Sequence, residues 1–205
     1  VQSINHAMTK TGAGRPQEFD SDDVLGRATQ VFWRKGFENT SLDDLLAATG
    51  LSKSSLYRSF GDKRTLFERC LAHYGDAVQT GFRTAFQAAP SGLAFIEGTL
   101  LAALDDERRP NHGCGCLVLN TANEFAQRDP EVAAVVAREI GRMRELMGEA
   151  VRRAQREGDV PAALDAAAAA HYLVCALGGM KTLAQAGVDA TGLRDSVAFV
   201  LRALR

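Results

Sequence analysis

The chain has 205 residues, of which 46% are hydrophobic and 24% charged, and its formal net charge is −1. A chain of this length buries a substantial core and has room for one small and one larger domain. Because it contains no run of about 18 apolar residues, a membrane-spanning helix is excluded.

Residue usage predicts an all-α fold in a reducing compartment. The sequence has five prolines and few alternating runs of β-branched residues, which leaves little room for a sheet. Its four cysteines form no regular disulfide framework, as expected for reduced thiols in the cytoplasm. Residues 1–6 are neither basic nor followed by an apolar block, so they predict no signal peptide.

The most informative segment has the pattern of two short helices joined by a tight turn. Ser41 is suited to cap the first helix, and Asp44 three residues later is suited to return the hydrogen bond. Gly50 supplies the turn, and Ser52 is suited to cap a second helix over residues 53–59. This pattern predicts a helix-turn-helix, the motif that presents one helix to a groove of DNA.

The second helix of this motif has an apolar and a polar face. At about 100° per residue, Leu56 and Phe60 point together toward a core. The opposite face carries short hydroxyls and cations, which suit close approach to base edges and contact with phosphates. Its residues are Lys53, Ser54, Ser55, Tyr57 and Arg58. The alternative is an ordinary surface helix, which the coincidence of caps, turn and cationic face disfavours.

A helix is expected on each side of the motif. The upstream helix starts at a capping Asp20 or Ser21 and ends at Gly36. The downstream helix opens with two cations, Lys63 and Arg64. Since cations at a helix N-terminus oppose its dipole, we expect an anion such as a phosphate beside them.

Two stretches of this region resemble the DNA-binding domain of the tetracycline repressor (TetR) family. They are FWRKGFENTS at residues 32–41 and GLSKSSLYRSFGDK at residues 50–63, and the similarity covers roughly residues 18 to 70. The resemblance implies an all-helical homodimer with a C-terminal ligand-binding domain, and a repressor that leaves DNA when an inducer binds. It also implies that operator contacts fall on Thr40, Ser41, Lys53, Ser54, Ser55, Tyr57, Arg58 and Lys63.

The resemblance further divides the chain into three parts. We expect an N-terminal tail or arm over residues 1–17, a helix-turn-helix domain over 18–65, and a ligand-binding and dimerisation domain over 66–205. Residues 14–16, Gly-Arg-Pro, resemble a short basic arm that reaches a minor groove in relatives. A disordered tail is equally consistent with this segment.

The C-terminal region is predicted to be helical, with a dimer surface on its last two helices. Helices are expected over about 63–87, 93–106, 114–126 and 130–157, followed by an Ala-rich helix to about 186 and a final one carrying residues 193–204. Small residues permit close helix approach and larger ones supply apolar area. The predicted surface comprises Leu164, Ala167, Ala170, Val174, Gly178, Gly179 and Leu183. The alternative is that these faces only close the core of one chain.

A second informative segment runs over residues 113–124. Cys116 is expected in the first turn of a helix, where the dipole favours the reactive thiolate, and Cys114 is placed to act as a resolving thiol. The segment resembles the start of helix 6 in a TetR subgroup with Gly-Cys-Leu here, some of whose members sense electrophiles or oxidants through that cysteine. Burial of Cys116 as a small apolar residue is the alternative.

A metal site is a further, weaker interpretation of this segment. His112, Cys114 and Cys116 alternate along the chain. The spacing lacks the C-x₂-C form that is typical of structural zinc, so no metal or cofactor is predicted.

A small-molecule pocket requires apolar walls with a few polar groups, and methionines adapt such walls to varied shapes. The predicted lining consists of Phe95, Cys116, Leu117, Asn120, Asn123, Glu124, Met143, Met147, His171, Tyr172 and Cys175. Lys181 is expected to be a solvated surface cation.

These features together predict a dimeric, cytoplasmic transcriptional repressor. A small-molecule inducer or a cysteine modification would shift the fourth and sixth helices, change the separation of two recognition helices and release a palindromic operator. A cysteine-dependent redox enzyme is disfavoured, because no His or acid has a defined spacing to Cys116. A constitutive DNA-binding protein without a ligand is the second alternative.

Overall fold

The computed structural model describes residues 19–104, 113–125 and 128–205. Within these ranges the chain forms α-helices and no strand, which confirms the predicted all-α fold. The helices are α1 (Ser21–Lys35), α2 (Leu42–Thr49), α3 (Lys53–Phe60), α4 (Lys63–Ala88), α5 (Gly92–Leu104), α6 (Leu117–Phe125), α7 (Pro130–Glu157), α8 (Ala166–Gln185) and α9 (Ala190–Ala203). Among them, none is both long and apolar enough to cross a bilayer.

A first apolar core joins α1, α2, α3 and the first half of α4. Phe32, Leu45, Leu56 and Phe60 form its centre, and each is at most 1% exposed. Val132 at the start of α7 belongs to the same cluster, as does the beginning of α6. The helix-turn-helix therefore shares its core with elements of the C-terminal region.

A second apolar core lies between α5, α7, α8 and α9. Ile96, Leu146 and Leu173 are fully buried in it. The start of α5 approaches α7 closely because Gly92 has no side chain, and its amide donates to Glu157 Oε2 at 2.7 Å. This bond is the main reason that the pKa of Glu157 lies below its ordinary value.

The long helices begin where capping residues predict, whereas α6 begins later than expected. Asp62 caps α4, and Asp129 followed by Pro130 opens α7. The prediction that a helix starts at Cys114 is wrong, because Gly115 has a φ of 67° in the left-handed region and interrupts helical geometry there. Cys116 is consequently the residue before α6, and its carbonyl accepts from Asn120 N at 2.9 Å.

Candidate DNA-binding surface and ligand pocket

Three local features stabilise the helix-turn-helix. Asp44 N donates to Ser41 Oγ at 3.1 Å and Ser41 N donates to Asp44 Oδ2 at 3.0 Å, which is the predicted capping box. Gly50 ends α2 with a φ of 71°, a conformation that glycine adopts without steric cost. Ser55 N donates to Ser52 Oγ at 3.2 Å and so caps α3. The turn predicted from the sequence is confirmed.

The outward face of α3 is polar and accessible. Leu56 and Phe60 are each 1% exposed, whereas Tyr57 on the other side is 40% exposed. Lys53, Ser54 and Arg58 are exposed as well, and Ser55 is half-buried. The face combines hydroxyls with cations, as contact with bases and phosphates requires.

Two neighbouring candidates lie in more enclosed positions. Thr40 is 1% exposed, and its Oγ1 donates to Gly36 O at 2.6 Å, which ties the turn after α1. Thr40 is therefore no candidate for a side-chain contact with DNA, contrary to the prediction. Lys63 is half-buried, with its Nζ 4.4 Å from the ring centroid of Phe37.

Carboxylates surround Arg64, where the sequence predicts a phosphate. Arg64 donates to Asp129 Oδ1 at 2.6 Å, to Glu131 Oε2 at 2.9 Å and to Glu68 Oε1 at 3.1 Å. The hydrogen bond from Arg64 is the largest influence that lowers the pKa of Asp129. The anions expected beside Arg64 are thus carboxylates of this chain rather than a phosphate, and this cation links α4 to the start of α7.

An ion pair joins α1 to the capping box of α2. Lys35 Nζ donates to Asp44 Oδ1 at 2.6 Å. The pKa of Asp44 is lowered to about 2, chiefly by the hydrogen bond from Lys35 and further by the bonds with Ser41. Asp44 is therefore ionised at neutral pH and accepts both bonds at once.

A cavity of about 90 Å³ lies between α4, α6, α7 and α8. Its apolar wall is formed by Val78, Phe82, Val118, Leu119, Ile140, Met143, Val174 and Leu177, with Gly75 and Gly178 between them. Its polar lining is formed by Tyr74, Gln79, Cys116, Glu139 and Lys181. Apolar walls with a few polar groups are typical of small-molecule sites.

Two of the predicted ligand residues, Cys116 and Met143, line this cavity. Phe95 and Met147 belong instead to the core between α5, α7, α8 and α9. Asn123 is exposed, and Leu117, Asn120 and Glu124 line a second pocket, of about 250 Å³, beside the end of α1. None of these six residues lines the cavity between α4, α6, α7 and α8.

The predicted orientation of α8 is also wrong. His171, Tyr172 and Cys175 are exposed, while Val174 and Lys181 line the cavity. The first turns of α8 are almost entirely alanine, so the sequence offers little contrast from which to predict the inward face. Lys181, expected to be solvated, is half-buried in the cavity wall.

Helix α4 supplies cavity residues that the sequence analysis missed. Tyr74, Val78 and Phe82 lie four residues apart and project from one face of α4. This spacing is visible in the sequence, but it does not reveal whether the face meets a core or a cavity.

The cysteines lie in different surroundings. Tyr74 Oη donates to the Sγ of Cys116 at 3.9 Å, and Cys116 is half-buried in the cavity wall. Cys70 is buried, and desolvation raises its pKa to about 12. Cys175, expected in the pocket lining, is exposed. His112 of the suggested metal set lies outside the described residues, and those described hold no group of three His, Cys, Asp or Glu side chains suited to a metal ion.

Helix α6 connects the cavity to the helix-turn-helix. Near its start, Trp33 Nε1 of α1 donates to Cys114 O at 3.1 Å. Near its end, Glu124 accepts from Phe37 N at 3.0 Å and from Glu38 N at 2.8 Å. Since Phe37 and Glu38 form the turn between α1 and α2, both ends of α6 are tied to the DNA-binding region.

Comparison with family models decides the classification. The model of bacterial regulatory proteins of the tetR family matches residues 24–70, and the model of the tetracyclin repressor-like C-terminal domain matches residues 92–200. The chain belongs to the TetR family. It is a DNA-binding transcriptional regulator, which confirms the resemblance found in the sequence.

Relatives in this family match the chain over most of its length. The HTH-type transcriptional regulator YezE of Bacillus subtilis is 30% identical over 185 residues, which cover 90% of this chain and 95% of that protein. The HTH-type transcriptional repressor ComR of Escherichia coli is 26% identical over 197 residues, 94% of this chain and 92% of that protein. The similarity extends beyond the helix-turn-helix to the C-terminal region.

A solved TetR-family structure gives the same result. A cysteine mutant of the regulator CifR, complexed with 26bp double-strand operator DNA, superposes with a TM-score of 0.79. It is 32% identical, and the match covers 93% of this chain and all of that one. The resemblance of residues 113–124 to a Gly-Cys-Leu subgroup is not tested by these matches and stays a prediction.

Proposed function

We propose that this TetR-family protein is a homodimeric repressor that binds a palindromic operator through α3 and leaves it when a small molecule fills the cavity. The main support for the proposal is that α6 contacts both the cavity and the turn between α1 and α2. Val118 and Leu119 of this helix line the cavity, and Glu124 at its end binds the turn between α1 and α2. A displaced cavity wall therefore moves the helix-turn-helix through one short helix.

The DNA contacts are assigned by exposure and chemistry. Arg58 and Ser54, exposed on α3, read base edges in the major groove. Tyr57 and Lys53 at the sides of that face bind phosphates, together with Lys63 at the start of α4. Ser41 and Ser55 supply further hydroxyls next to this surface. Operator binding by the CifR mutant, at 32% identity, supports the same use of this surface here.

The dimer contact is assigned to the outer faces of α8 and α9. Tyr172, Leu183 and Phe199 are 44%, 47% and 67% exposed, and exposed apolar side chains on two neighbouring helices supply area for association. Of the residues expected at this surface, Ala170 is buried, and Val174 and Gly178 line the cavity, so these three do not belong to it. A two-fold contact here presents two α3 helices to a two-fold DNA site.

A cavity-filling substitution tests the mechanism without knowledge of the inducer. Val78→Phe places a larger ring in the cavity from α4, and the neighbouring Ala77 is exposed on the same helix. We expect Val78→Phe to act as a bound inducer and to weaken operator binding by about tenfold or more, as in typical allosteric couplings. Ala77→Phe should bind like the wild type. The measurement is fluorescence anisotropy on an operator selected in vitro.

Unchanged operator affinity in a folded, dimeric Val78→Phe variant would contradict the proposed coupling. Loss of affinity in both variants would also contradict it, because the effect would then be unrelated to the cavity. Circular dichroism and the molar mass in solution establish that each variant is folded and dimeric before its affinity is compared.

A second trigger is supported by the position of Cys116. Its Sγ lies in the cavity wall beside Tyr74 Oη, so a group added to the thiol occupies the same space as an inducer. The test is operator release after mild peroxide or quinone treatment, compared between Cys116→Ser and its parent. Both proteins carry Cys175→Ser, because Cys175 is exposed. Release from the parent alone supports this trigger, and equal release from both rejects it.

The TetR-family membership favours a regulator over the cysteine-dependent enzyme considered above. We propose no catalytic role for Cys116. The constitutive alternative, a DNA-binding protein without a ligand, predicts that filling the cavity leaves operator binding unchanged, and the Val78→Phe variant therefore separates it from the proposed function.

A further inference from the structure

One carboxylate interrupts the apolar wall of the cavity. Glu139 of α7 lines it, and the side chain is only 6% exposed. Burial of an ionised carboxylate is unfavourable unless partners compensate its charge. The surroundings of Glu139 therefore indicate what else this carboxylate is able to bind.

Two arginines compensate the charge from the solvent side. Arg142 NH1 donates to Glu139 Oε2 at 3.1 Å, and Arg138 Nε donates to Oε1 at 3.4 Å. Their side chains are 31% and 57% exposed, and Arg142 also donates to Asp76 of α4 at 2.7 Å. An ionised carboxylate offers about four acceptor positions, so these bonds leave room for another donor.

A glycine on α4 lets the carboxylate reach its position. Gly75 is buried, and a Cβ atom built there would overlap Glu139 Oε2 and Cδ. The carboxylate of Glu139 thus packs directly against the backbone of α4 within the cavity lining. Glu139 and Gly75 form a complementary pair across the α4–α7 contact.

The volume of the cavity limits the size of a ligand. An engineered cavity of about 150 Å³ is known to hold benzene. The cavity here, of about 90 Å³, is partly open to the surface, so a ring of about six non-hydrogen atoms fits with part of it outside the enclosed volume. Most of the wall is apolar, which requires that most of such a molecule be apolar as well.

The charges around the cavity limit the polar group of the ligand. A cation is disfavoured because Arg138 and Arg142 already compensate Glu139, and Lys181 lines the same cavity. An anion in contact with Glu139 is disfavoured because an ionised carboxylate only accepts hydrogen bonds, so two acceptors would face each other. We propose that the effector is a small, uncharged, mainly apolar molecule with a hydroxyl group, and that this hydroxyl donates a hydrogen bond to Glu139. The inference rests on the proposed function, because it names the ligand class of the same cavity.

Three probes of equal heavy-atom count test this assignment: cyclopentanol, methylcyclopentane and cyclopentylammonium. Binding to the full chain is followed by NMR through the methyl groups of Ile140 and Met143, which line the cavity. We expect wild type to bind cyclopentanol about tenfold more tightly than either other probe, because a hydrogen bond to a charged acceptor is strong in such surroundings. In Glu139→Gln the preference over methylcyclopentane should fall below about threefold.

The control variant is Glu149→Gln. Glu149 is also on α7 and pairs with Arg83 of α4, but it does not line the cavity. It should keep the full preference for cyclopentanol. The comparison among probes in wild type needs no substitution, so a Glu139→Gln variant that fails to fold does not prevent the test.

Equal affinity of wild type for cyclopentanol and methylcyclopentane would overturn the assignment, as would tightest binding of cyclopentylammonium or an unchanged preference in Glu139→Gln. Absence of binding by all three probes also overturns it. If Val78→Phe nevertheless weakens operator binding, the cavity keeps its proposed role and only the ligand class is wrong. If Val78→Phe has no effect either, the proposed function fails as well.

Discussion

At the scale of single residues, Cys70 and Cys116 show how burial gives two cysteines different reactivity. Cys70 lies in the core between α1 and α4, where Thr29 and Leu25 surround it and desolvation raises its pKa to about 12. On the order of one Cys70 thiol in ten thousand is therefore ionised at pH 8, and the thiolate is the reactive form. Cys116 lies at the wall of a cavity.

This difference predicts the order of alkylation. In the folded protein at pH 8, iodoacetamide should modify Cys116 at least about a hundredfold faster than Cys70. Peptide mass spectrometry after timed quenching measures both rates. Unfolding in urea should abolish the difference, and this serves as the control. Modification of Cys70 at the rate of Cys116 in the folded state would show that its burial is wrongly assigned.

At the scale of elements, the contacts at the end of α6 have a directly measurable consequence. Glu124 uses both carboxylate oxygens to accept from Phe37 N and Glu38 N. In Glu124→Gln one oxygen becomes an NH₂ group, which does not accept a hydrogen bond. We expect hydrogen exchange at these two amides to accelerate about tenfold, while Glu145→Gln on the exposed side of α7 has no such effect. If hydrogen exchange at the Phe37 and Glu38 amides is unchanged in Glu124→Gln, then α6 does not connect the cavity to the DNA-binding region.

Two glycines of α5 predict opposite changes in stability. A Cβ at Gly92 would overlap the carbonyl oxygen of Ala150 and the backbone nitrogen of Ala154, whereas one at Gly98 meets nothing nearby. Gly92→Ala should destabilise the protein by about 1–3 kcal/mol, and Gly98→Ala should stabilise it by about 0.5–1 kcal/mol. Urea unfolding monitored by circular dichroism gives both values. A neutral Gly92→Ala would mean that α5 and α7 are not packed as closely as described.

The helix-turn-helix could be predicted in detail because its determinants are local. The bond between Ser41 and Asp44, the left-handed Gly50 and the cap at Ser52 each depend on residues within a few positions. The inward direction of Leu56 and Phe60 follows from helical spacing in the same way. The exposed face of α3 was therefore available from the sequence.

The cavity could be predicted only in part because its lining depends on how distant helices are rotated against each other. An alanine-rich α8 gives little indication of its inward side, so His171 and Tyr172 were expected where Val174 and Lys181 lie. The late start of α6 follows from the backbone of Gly115. Glu124 was expected in the cavity wall, since nothing local indicates that its partners are amides 86 and 87 positions earlier.

At the scale of the whole molecule, the proposed dimer predicts the effect of charge on α8 and α9. Leu183→Glu and Phe199→Glu each place two like charges close to a two-fold axis, which disfavours association. Light scattering should give half the mass of the wild type, and operator binding should be lost with it. Ala77→Glu, on the exposed side of α4, should leave both unchanged. If both Phe199→Glu and Leu183→Glu remain dimeric, the dimer contact does not lie on these faces of α8 and α9.

The central claim is that a dimer binds a palindromic operator through α3. In vitro selection from random DNA is the most direct test of it. We expect enrichment of a palindrome whose half-sites lie one helical turn or a multiple apart. Arg58→Ala should then change the preferred base within each half-site, and Ser54→Ala should do the same. Tyr57→Phe and Lys63→Ala should weaken all sequences by similar factors, and the loss of the Lys63 cation should also reduce the salt dependence. Enrichment of no sequence, or an Arg58→Ala variant with unchanged affinity and preference, would contradict the account.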